Sequence, residues 1–289
     1  MATSVAAGFT ELLNRLALTD RQRSTAKSHI ENIISFFTSN FVLASAGVFY
    51  TGSYRRGTMV RPTRDVDILA ALSVKEYDGT YGDDSSKFLY MVRNALNDRY
   101  GATTVSSKRV AVKLDFSDVV ADVVPCFPRQ GGGFLMPNGT GGWRGTNPPV
   151  HTRLMREADE AQTGRLKPVV KLLKAWNIQN GYHLSSIHVE LMVERMWRGS
   201  GIGSVLSSAV AKTLKTVPSW LSSSFPDPWP DGQPIDSDLS SAERALAIRL
   251  LKEDAGRAAN AEEDRLAGRI KQAFERWDVV YRDSFPAYG

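Results

Sequence analysis

GSYRRGTMVRPTRDVDI, from Gly52 to Ile68, is the most informative stretch of this sequence. It opens with a Gly-Ser turn and closes, twelve residues after Ser53, with an Asp-Val-Asp triplet that runs from Asp65 to Asp67. Glycine permits a tight backbone approach, and a serine at the start of a helix offers its hydroxyl and free N–H groups to an anion. We therefore predict an anion-binding turn, formed by Gly52 and Ser53, that leads into a strand carrying two carboxylates.

The two aspartates of this stretch are spaced for metal binding. Side chains alternate between the faces of a strand, so Asp65 and Asp67 should point in the same direction. Magnesium prefers oxygen ligands, and two such ions about 3.5–4 Å apart can clamp the attacking and leaving oxygens of an in-line transfer. The segment therefore predicts a site for two Mg²⁺ ions, with Mn²⁺ as the substitute ion, and chemistry of the phosphoryl-transfer type.

A third carboxylate is expected to help activate the attacking hydroxyl, and the segment DVVADVVPCF supplies the candidate. Asp122 lies among valines typical of a buried strand, where a charge is costly unless it faces a metal or a cation. Asp115 and Asp118 are the alternatives, but both are expected near a hairpin turn, where aspartate is common. We therefore prefer Asp122, and we expect Pro125 to end its strand.

The composition is that of an ordinary globular protein of 289 residues, 42% of them hydrophobic. The single cysteine, Cys126, excludes an internal disulfide and a cysteine-based zinc cluster, which suits a reducing compartment. No stretch approaches the ~20 apolar residues of a membrane span and no secretory leader is recognisable, so we expect a cytoplasmic protein without a membrane partner. The formal charge of +5 arises mainly in residues 1–150 and would attract nucleoside triphosphates, although it does not require a nucleic-acid partner.

The pattern of apolar residues in the first half indicates helices and strands without regular βαβ repetition. A short first helix is followed by a long spine helix that begins at Thr19 or Asp20. Strands are expected near 47–50, 110–114 and 119–124, with a helix over 87–97. We therefore predict an α+β fold with a mixed sheet, and assign residues 1–150 to this core lobe.

Residues 151–289 are dominated by helical periodicity and are predicted to form a helical lobe that closes the site. Helices are expected over 166–178 and 186–198, and a proline-rich crossing from Thr216 to Ser240 precedes two closing helices. The glycine-rich segment over 129–149 lacks the ending of a P-loop, and we interpret it as a hairpin and loop between the lobes without a phosphate role.

Several motifs, taken in order along nearly the whole chain, resemble the CD-NTase family of bacterial nucleotidyltransferases, which is related to cyclic GMP-AMP synthase and the oligoadenylate synthetases. The first two motifs are shared by the wider polymerase-β-like superfamily, and the later ones narrow the resemblance. It implies a polymerase-β-like nucleotidyltransferase lobe with an N-terminal spine helix, plus a C-terminal helical bundle lobe. The motifs are GSYRRGTMVRPTRDVDI, ADVVPCF, PNGTGGWRGTNPPVH, LKPVVKLLKAWN, LSSIHVELM and FERWDVVYRDSFP.

The resemblance also assigns roles to residues of the helical lobe. Lys171 and Lys174 share a helix face, and such pairs are usually solvated, so only the resemblance implies that they contact the triphosphate together with Ser186. It likewise implies that Asp65 and Asp67 bind both metal ions and that Asp122 binds the catalytic one. Ile187 stands where cyclic GMP-AMP synthase and the oligoadenylate synthetases have a tyrosine that stacks on the base, so the choice of base stays open.

By this resemblance the chain would join nucleoside triphosphates into a short cyclic oligonucleotide, release pyrophosphate, and signal in bacterial antiphage defence through a separate effector protein. The terminal Gly289 is compatible with conjugation by ubiquitin-like machinery. Two alternatives stay open: a template-independent enzyme that tails RNA or makes linear oligonucleotides, and a low-turnover regulatory protein that binds nucleotides.

Overall fold

The computed structural model describes residues 2–62, 65–101, 103–108 and 110–289. The helices are α1 Val5–Leu16, α2 Asp20–Asn40, α3 Gly52–Arg56, α4 Val74–Tyr81, α5 Ser85–Arg99, α6 Pro148–Ala161, α7 Leu166–Gln179, α8 Ser186–Trp197, α9 Leu206–Thr216, α10 Ser241–Leu266 and α11 Ile270–Val280. The strands are β1 Leu43–Thr51, β2 Asp65–Leu72, β3 Thr104–Lys108, β4 Ala111–Asp115, β5 Val120–Pro128, β6 Phe134–Pro137 and β7 Trp143–Thr146.

The strands form a mixed sheet, which confirms the predicted α+β class. Its order is β1-β2-β5-β4-β3, with β6 paired to β5 and β7 to β6. Strands β2 and β5 run parallel, whereas β1 pairs with β2 and β4 pairs with β5 in the antiparallel sense. The parallel register sets Asp67 opposite Asp122. Two carboxylates from distant parts of the sequence therefore meet on adjacent strands.

The predicted spine helix is α2, which packs on one face of the sheet. Thr19 caps it through a capping box with Gln22, which satisfies the backbone N–H groups of these two residues. Ile33 and Phe37 on its buried face share a core with Phe88 of α5 and with the inward-facing residues of β2, β4 and β5. This core fixes the strands whose ends carry the aspartates.

A second core holds the helical lobe together, and α1 belongs to it. Phe9 of α1 packs edge to face on Trp277 of α11, with ring centroids 4.8 Å apart. Ala2 forms a bridge with Tyr288, and the Gly289 N–H donates to the Ala2 carbonyl. Helix α1 therefore packs with the helical lobe, although we expected it, as part of residues 1–150, in the core lobe. Sequence order gave no sign of it, because only tertiary packing shows which lobe an amphipathic helix faces.

Pro125 does not end its strand, contrary to the expectation from the sequence. β5 continues to Pro128, and Pro125 itself pairs with Ala70 of β2. The last pair between β5 and β4 is Val123 with Val112, so the missing proline N–H costs no ladder bond to β4.

The proline-rich crossing between α9 and α10 folds back over the core lobe, and we call residues 225–239 the strap. Trp229 lies in a notch at the β6-β7 hairpin, where a Cβ on Gly133 or Gly145 would come within 2.8 and 3.1 Å of its ring. Arg129 lies over the same ring, 5.3 Å from its centroid, and pairs with Asp231 at 2.8 Å. The predicted glycine-rich hairpin is confirmed, and its glycines make room for the strap. Among the residues described, no helix is long and apolar enough to cross a membrane.

Candidate active site

The Gly-Ser turn forms the first wall of a cavity of about 600 Å³ between the two lobes. Gly52 has a φ of 66°, and a Cβ at this position would lie 1.6 Å from Oδ2 of Asp67. Only glycine meets both conditions, because other residues rarely adopt this backbone and would collide with the carboxylate. Ser53 follows in α3 and lines the cavity beside Asp67. The turn is therefore fitted closely to the aspartate strand.

The three predicted carboxylates line this same cavity. Asp65 and Asp67 occupy alternate positions of β2, so they lie on one face, and Asp122 is the register partner of Asp67 on β5. The rival candidates lie elsewhere. Asp118 contacts His29 of α2 at 3.2 Å, and neither it nor Asp115 is among the residues that line the cavity.

The electrostatics of the site are those of gathered like charges. Burial raises the pKa of Asp67 to about 6, repulsion from Asp122 adds to the rise, and Arg56 opposes it. In the described residues, no group of three His, Cys, Asp or Glu side chains is arranged to hold a metal ion on its own. The donor set of aspartate oxygens nevertheless suits Mg²⁺, which commonly completes its coordination with substrate phosphates and water. These gathered carboxylates, among which Asp67 has a raised pKa, fit a divalent cation that is bound together with its substrate.

A buried ionic network lies behind the Gly-Ser turn and joins the two lobes. Glu190 of α8 is fully buried and accepts hydrogen bonds from Arg56 of α3, from Lys174 of α7 and, at 2.7 Å, from the Thr58 hydroxyl. Its two cationic partners hold the pKa of Glu190 down to about 2, although burial alone would raise it. Sequence reasoning missed Glu190, because a glutamate in a helix is most often a solvated residue.

The predicted lysines occupy different surroundings. Besides Glu190, the Lys174 ammonium donates to the carbonyl and the hydroxyl of Thr58, both at 3.2 Å. Its three N–H donors are therefore all engaged in this state. Lys174 also lines a small cavity together with Ser53 and Ser186, the two serines predicted to contact phosphate. Lys171 lines neither cavity; burial lowers its pKa, and the charges of Lys167 and Arg23 lower it further.

The start of α8 forms the wall opposite Ser53. Ser185 caps the helix and accepts from the His188 N–H, which leaves Ser186 and Ile187 at the first turn facing the cavity. The positive end of the helix dipole favours an anion here. Tyr182 lies just before this turn, with its hydroxyl 3.3 Å from Oγ of Ser186. Sequence reasoning missed Tyr182, and its only sequence signal was an aromatic residue after the Asn-Gly that ends α7.

The far end of the cavity is closed by the strap. His151 of α6 contacts Asp227 at 2.8 Å, and Arg144 of β7 pairs with Asp238 at 3.6 Å. These pairs join the strap to both lobes, and the strap residues from Gln233 to Leu239 line the cavity. The crossing was predicted from its prolines, but its role as a cavity wall was not.

Residues 3–159 match the family described as the Second Messenger Oligonucleotide or Dinucleotide Synthetase domain. A cyclic AMP-AMP-AMP synthase from Acinetobacter sp. is 40% identical over 142 residues, which are 46% of this chain and 39% of that protein. A Bacillus cereus protein, named as a probable cyclic nucleotide synthase, is 22% identical over 275 residues, 82% of this chain and 81% of that protein. The structure of Escherichia coli MS115-1 CdnC with HORMA-deltaN superimposes with a TM-score of 0.79 at 15% identity, covering 98% of both chains.

The match to the family covers more than half of the chain and includes the Gly-Ser turn and all three aspartates. The match to the Acinetobacter protein spans about two fifths of that protein's length. The likeness to CdnC shows a shared fold, of the polymerase-β-like kind that the resemblance implied. The chain therefore belongs to the Second Messenger Oligonucleotide or Dinucleotide Synthetase family, the CD-NTases, whose members are nucleotidyltransferases that make cyclic oligonucleotides from nucleoside triphosphates.

Proposed function

We propose that this chain joins nucleoside triphosphates into a short cyclic oligonucleotide second messenger. The observation that carries the proposal is that residues of both lobes line one cavity. Asp67 and Asp122 are register partners in the core lobe and line it with Ser53, and Ser186 lines it from the helical lobe. A cavity with carboxylates at one wall and a helix start at the other suits a triphosphate bound with divalent cations.

In each step, a ribose hydroxyl of one nucleotide attacks the α-phosphorus of another. The new bond joins the ribose oxygen to that phosphorus, the bond to the β-phosphate bridging oxygen breaks, and pyrophosphate leaves. Asp65, Asp67 and Asp122 would hold Mg²⁺ or Mn²⁺, which supplies charge stabilisation to the attacking and leaving oxygens when bound. Asp122 would help to deprotonate the attacking hydroxyl.

The phosphate-holding residues come from both lobes. Gly52 and Ser53 present the turn from the core lobe, and Ser186 presents a hydroxyl from α8. Lys174 would reach the phosphates by giving up one of its bonds to Thr58. Lys171 has no place in either cavity, so its direct contact with phosphate is the weakest part of the predicted cage.

The base and the partners are inferred from the relatives. The Acinetobacter relative is named for an all-adenine product, so we infer that ATP is the first substrate to test. CdnC was solved in complex with a HORMA protein, which supports a protein partner for this chain as well. We further propose a role in antiphage signalling through a separate effector, as the resemblance to the family implies. Conjugation at Gly289 would first require release of its contact with Ala2.

The test is to incubate the purified protein with the four nucleoside triphosphates and Mg²⁺, treat the products with phosphatase, and identify them by mass spectrometry. A phosphatase-resistant cyclic product, absent with Asp122→Asn, is the expected result. Products that appear only when RNA is added would instead identify a tailing enzyme. No product with Mg²⁺ or Mn²⁺, with or without the cognate partner protein, would identify a nucleotide-binding protein.

A further inference from the structure

Tyr182 presents an aromatic side chain to the cavity from a strained loop. It adopts a φ of 57°, in the left-handed region that a tyrosine seldom occupies, and its side chain is half exposed. Among the described residues that line the cavity, it is the only phenylalanine, tyrosine or tryptophan. A strained residue with an exposed ring at a binding site is a reason to look for a function.

The loop that carries Tyr182 is held firmly in this conformation. Its backbone N–H donates to the carbonyl of Asn177 at 2.7 Å. The buried Asn177 side chain binds both backbone groups of Leu184, accepting from its N–H at 3.1 Å and donating to its carbonyl at 2.7 Å. The loop between α7 and α8 is thus fixed on both sides of Tyr182, and the direction of its ring is set by the fold.

The hydroxyl of Tyr182 lies with the hydroxyls of the predicted phosphate cage. It is 3.3 Å from Oγ of Ser186, and both residues line the small cavity that also contains Ser53 and Lys174. That small cavity has a volume of only about 10 Å³, so phosphates would lie over it, in the larger cavity that Ser53, Tyr182 and Ser186 also line. An anion there would meet three hydroxyls, with the Lys174 ammonium behind them engaged by Glu190 and Thr58.

The position of this small cavity relative to the aspartates indicates which part of a triphosphate would lie over it. The reacting α-phosphate must lie near Asp67 and Asp122, in the larger cavity. The small cavity adjoins it through Ser53 and Ser186, which line both. We propose that the Tyr182 hydroxyl donates a hydrogen bond to the β- and γ-phosphate portion of the bound nucleoside triphosphate, the part that leaves as pyrophosphate. This assignment rests on the proposed function and makes Tyr182 a residue that selects triphosphates.

The decisive comparison is Tyr182→Phe, which removes the hydroxyl and keeps the ring. Losing one hydrogen bond to a charged group should weaken binding about tenfold. We expect that loss for inorganic tripolyphosphate with Mg²⁺, measured by calorimetry, and for the nucleoside triphosphate substrate. The matching nucleoside monophosphate, which lacks the β- and γ-phosphates, should bind as it does to the wild type. In the oligonucleotide assay, kcat/KM should fall by a similar factor with the base preference unchanged.

Tyr90→Phe is a matched control, because Tyr90 is also 50% exposed but lies on α5, outside the cavity. It should leave every affinity unchanged. If Tyr182→Phe binds tripolyphosphate as the wild type does, the proposal is wrong. If only Tyr182→Leu weakens binding, and only of nucleotides with a base, Tyr182 stacks on the base and the proposal is again wrong. If the wild type binds no tripolyphosphate or nucleoside triphosphate, the proposed function itself fails.

Discussion

Asp67 shows at the scale of one residue how gathering carboxylates at one place costs stability. Its pKa of about 6 in the folded protein lies above the value near 4 of an unfolded chain. The folded state therefore binds this proton more tightly, and the contribution of Asp67 to stability falls as the pH rises from about 4 to 6. Above that range the buried charge disfavours folding unless a cation is bound.

We therefore predict that Asp67→Asn abolishes turnover and yet stabilises the metal-free protein. Removing the charge should raise the free energy of unfolding at pH 7.5 by about 1–2 kcal/mol, measured by denaturant unfolding in EDTA. The gain should shrink towards pH 4, where the wild-type carboxyl is protonated as well. Asp98→Asn, at an exposed position outside the site, should change neither property. A destabilised Asp67→Asn protein at pH 7.5 would contradict the assigned repulsion.

Gly52 and Gly57 flank α3 and offer a second residue-level test. Both have a positive φ, 66° and 70°, so alanine is strained at either position by about 1 kcal/mol. Only at Gly52 would the new Cβ collide with the Asp67 carboxylate, since nothing lies within 4 Å of a Cβ on Gly57. We predict that Gly52→Ala lowers kcat at least a hundredfold and that Gly57→Ala keeps most of it. If both variants lose the same fraction of kcat in a steady-state assay, backbone strain, and not the collision with Asp67, causes the loss of activity.

Residues whose chemistry is local could be predicted from the sequence, and those defined by tertiary contacts could not. The spacing of Ser53, Asp65 and Asp67 was sufficient because a turn and a strand place them by short-range geometry. Glu190 carries no such pattern, and its importance comes from partners on two other helices. Tyr182 likewise depends on the loop conformation that Asn177 imposes.

At the scale of elements, α8 connects the Gly-Ser turn to the helical lobe. Glu190 is its contact with both α3 and α7, and removing a charge from a buried network leaves its partners uncompensated. We predict that Glu190→Gln destabilises the protein by about 3–5 kcal/mol and weakens tripolyphosphate binding. The ionised carboxylate stabilises the fold above its unfolded pKa near 4.5, and this contribution is lost as the pH falls towards 2.

Glu194 provides the matched control for this prediction, one turn further along α8. It is nearly as buried, at 3% exposure, but its partner Arg198 has a side chain that is 63% exposed. The Arg198 guanidinium can return to water, so Glu194→Gln should lower the free energy of unfolding by no more than about 1 kcal/mol. Urea unfolding of both variants at pH 7 gives the comparison. Equal costs would show that Glu190 is an ordinary buried carboxylate and not the joint between the elements.

The extent of individual elements was foreseen best where local signals were strong. The capping box at Thr19 set the start of α2, and the glycine-rich run gave the β6-β7 hairpin. Pro125 misled because its effect depends on which neighbouring strand it faces, which the chain order does not state. The packing of α1 against α11 was likewise beyond local patterns, since an amphipathic helix shows which of its faces is buried but not what covers it.

At the scale of the whole molecule, the cavity exists only because two lobes and the strap enclose it. The core lobe gives the carboxylates, the helical lobe gives Ser186 and Tyr182, and the strap closes the far end. Compounds that bind between the lobes should raise the melting temperature, since a ligand at a hundred times its Kd adds about 2.7 kcal/mol to the stability of the folded state.

Trp229 anchors the outer part of the strap, residues 227–233, on the β6-β7 hairpin, whereas Phe225 belongs to the core of the helical lobe and Ile235 and Leu239 pack against that core. We predict that Trp229→Ala speeds amide hydrogen exchange in residues 227–233 at least tenfold, while exchange in α10 stays unchanged, because this part of the strap opens as a local unit. The nucleotide KM should rise severalfold with a smaller change in kcat, since strap residues line the cavity while the aspartates lie on β2 and β5. Gly145→Ala, whose Cβ would press on the Trp229 ring, should act in the same direction and more weakly. Gly203→Ala is the control, because no atom lies within 4 Å of its Cβ, and it should change neither the exchange rate nor the KM. If exchange in the strap is unchanged in Trp229→Ala, the ion pairs hold the strap in place without the Trp229 ring.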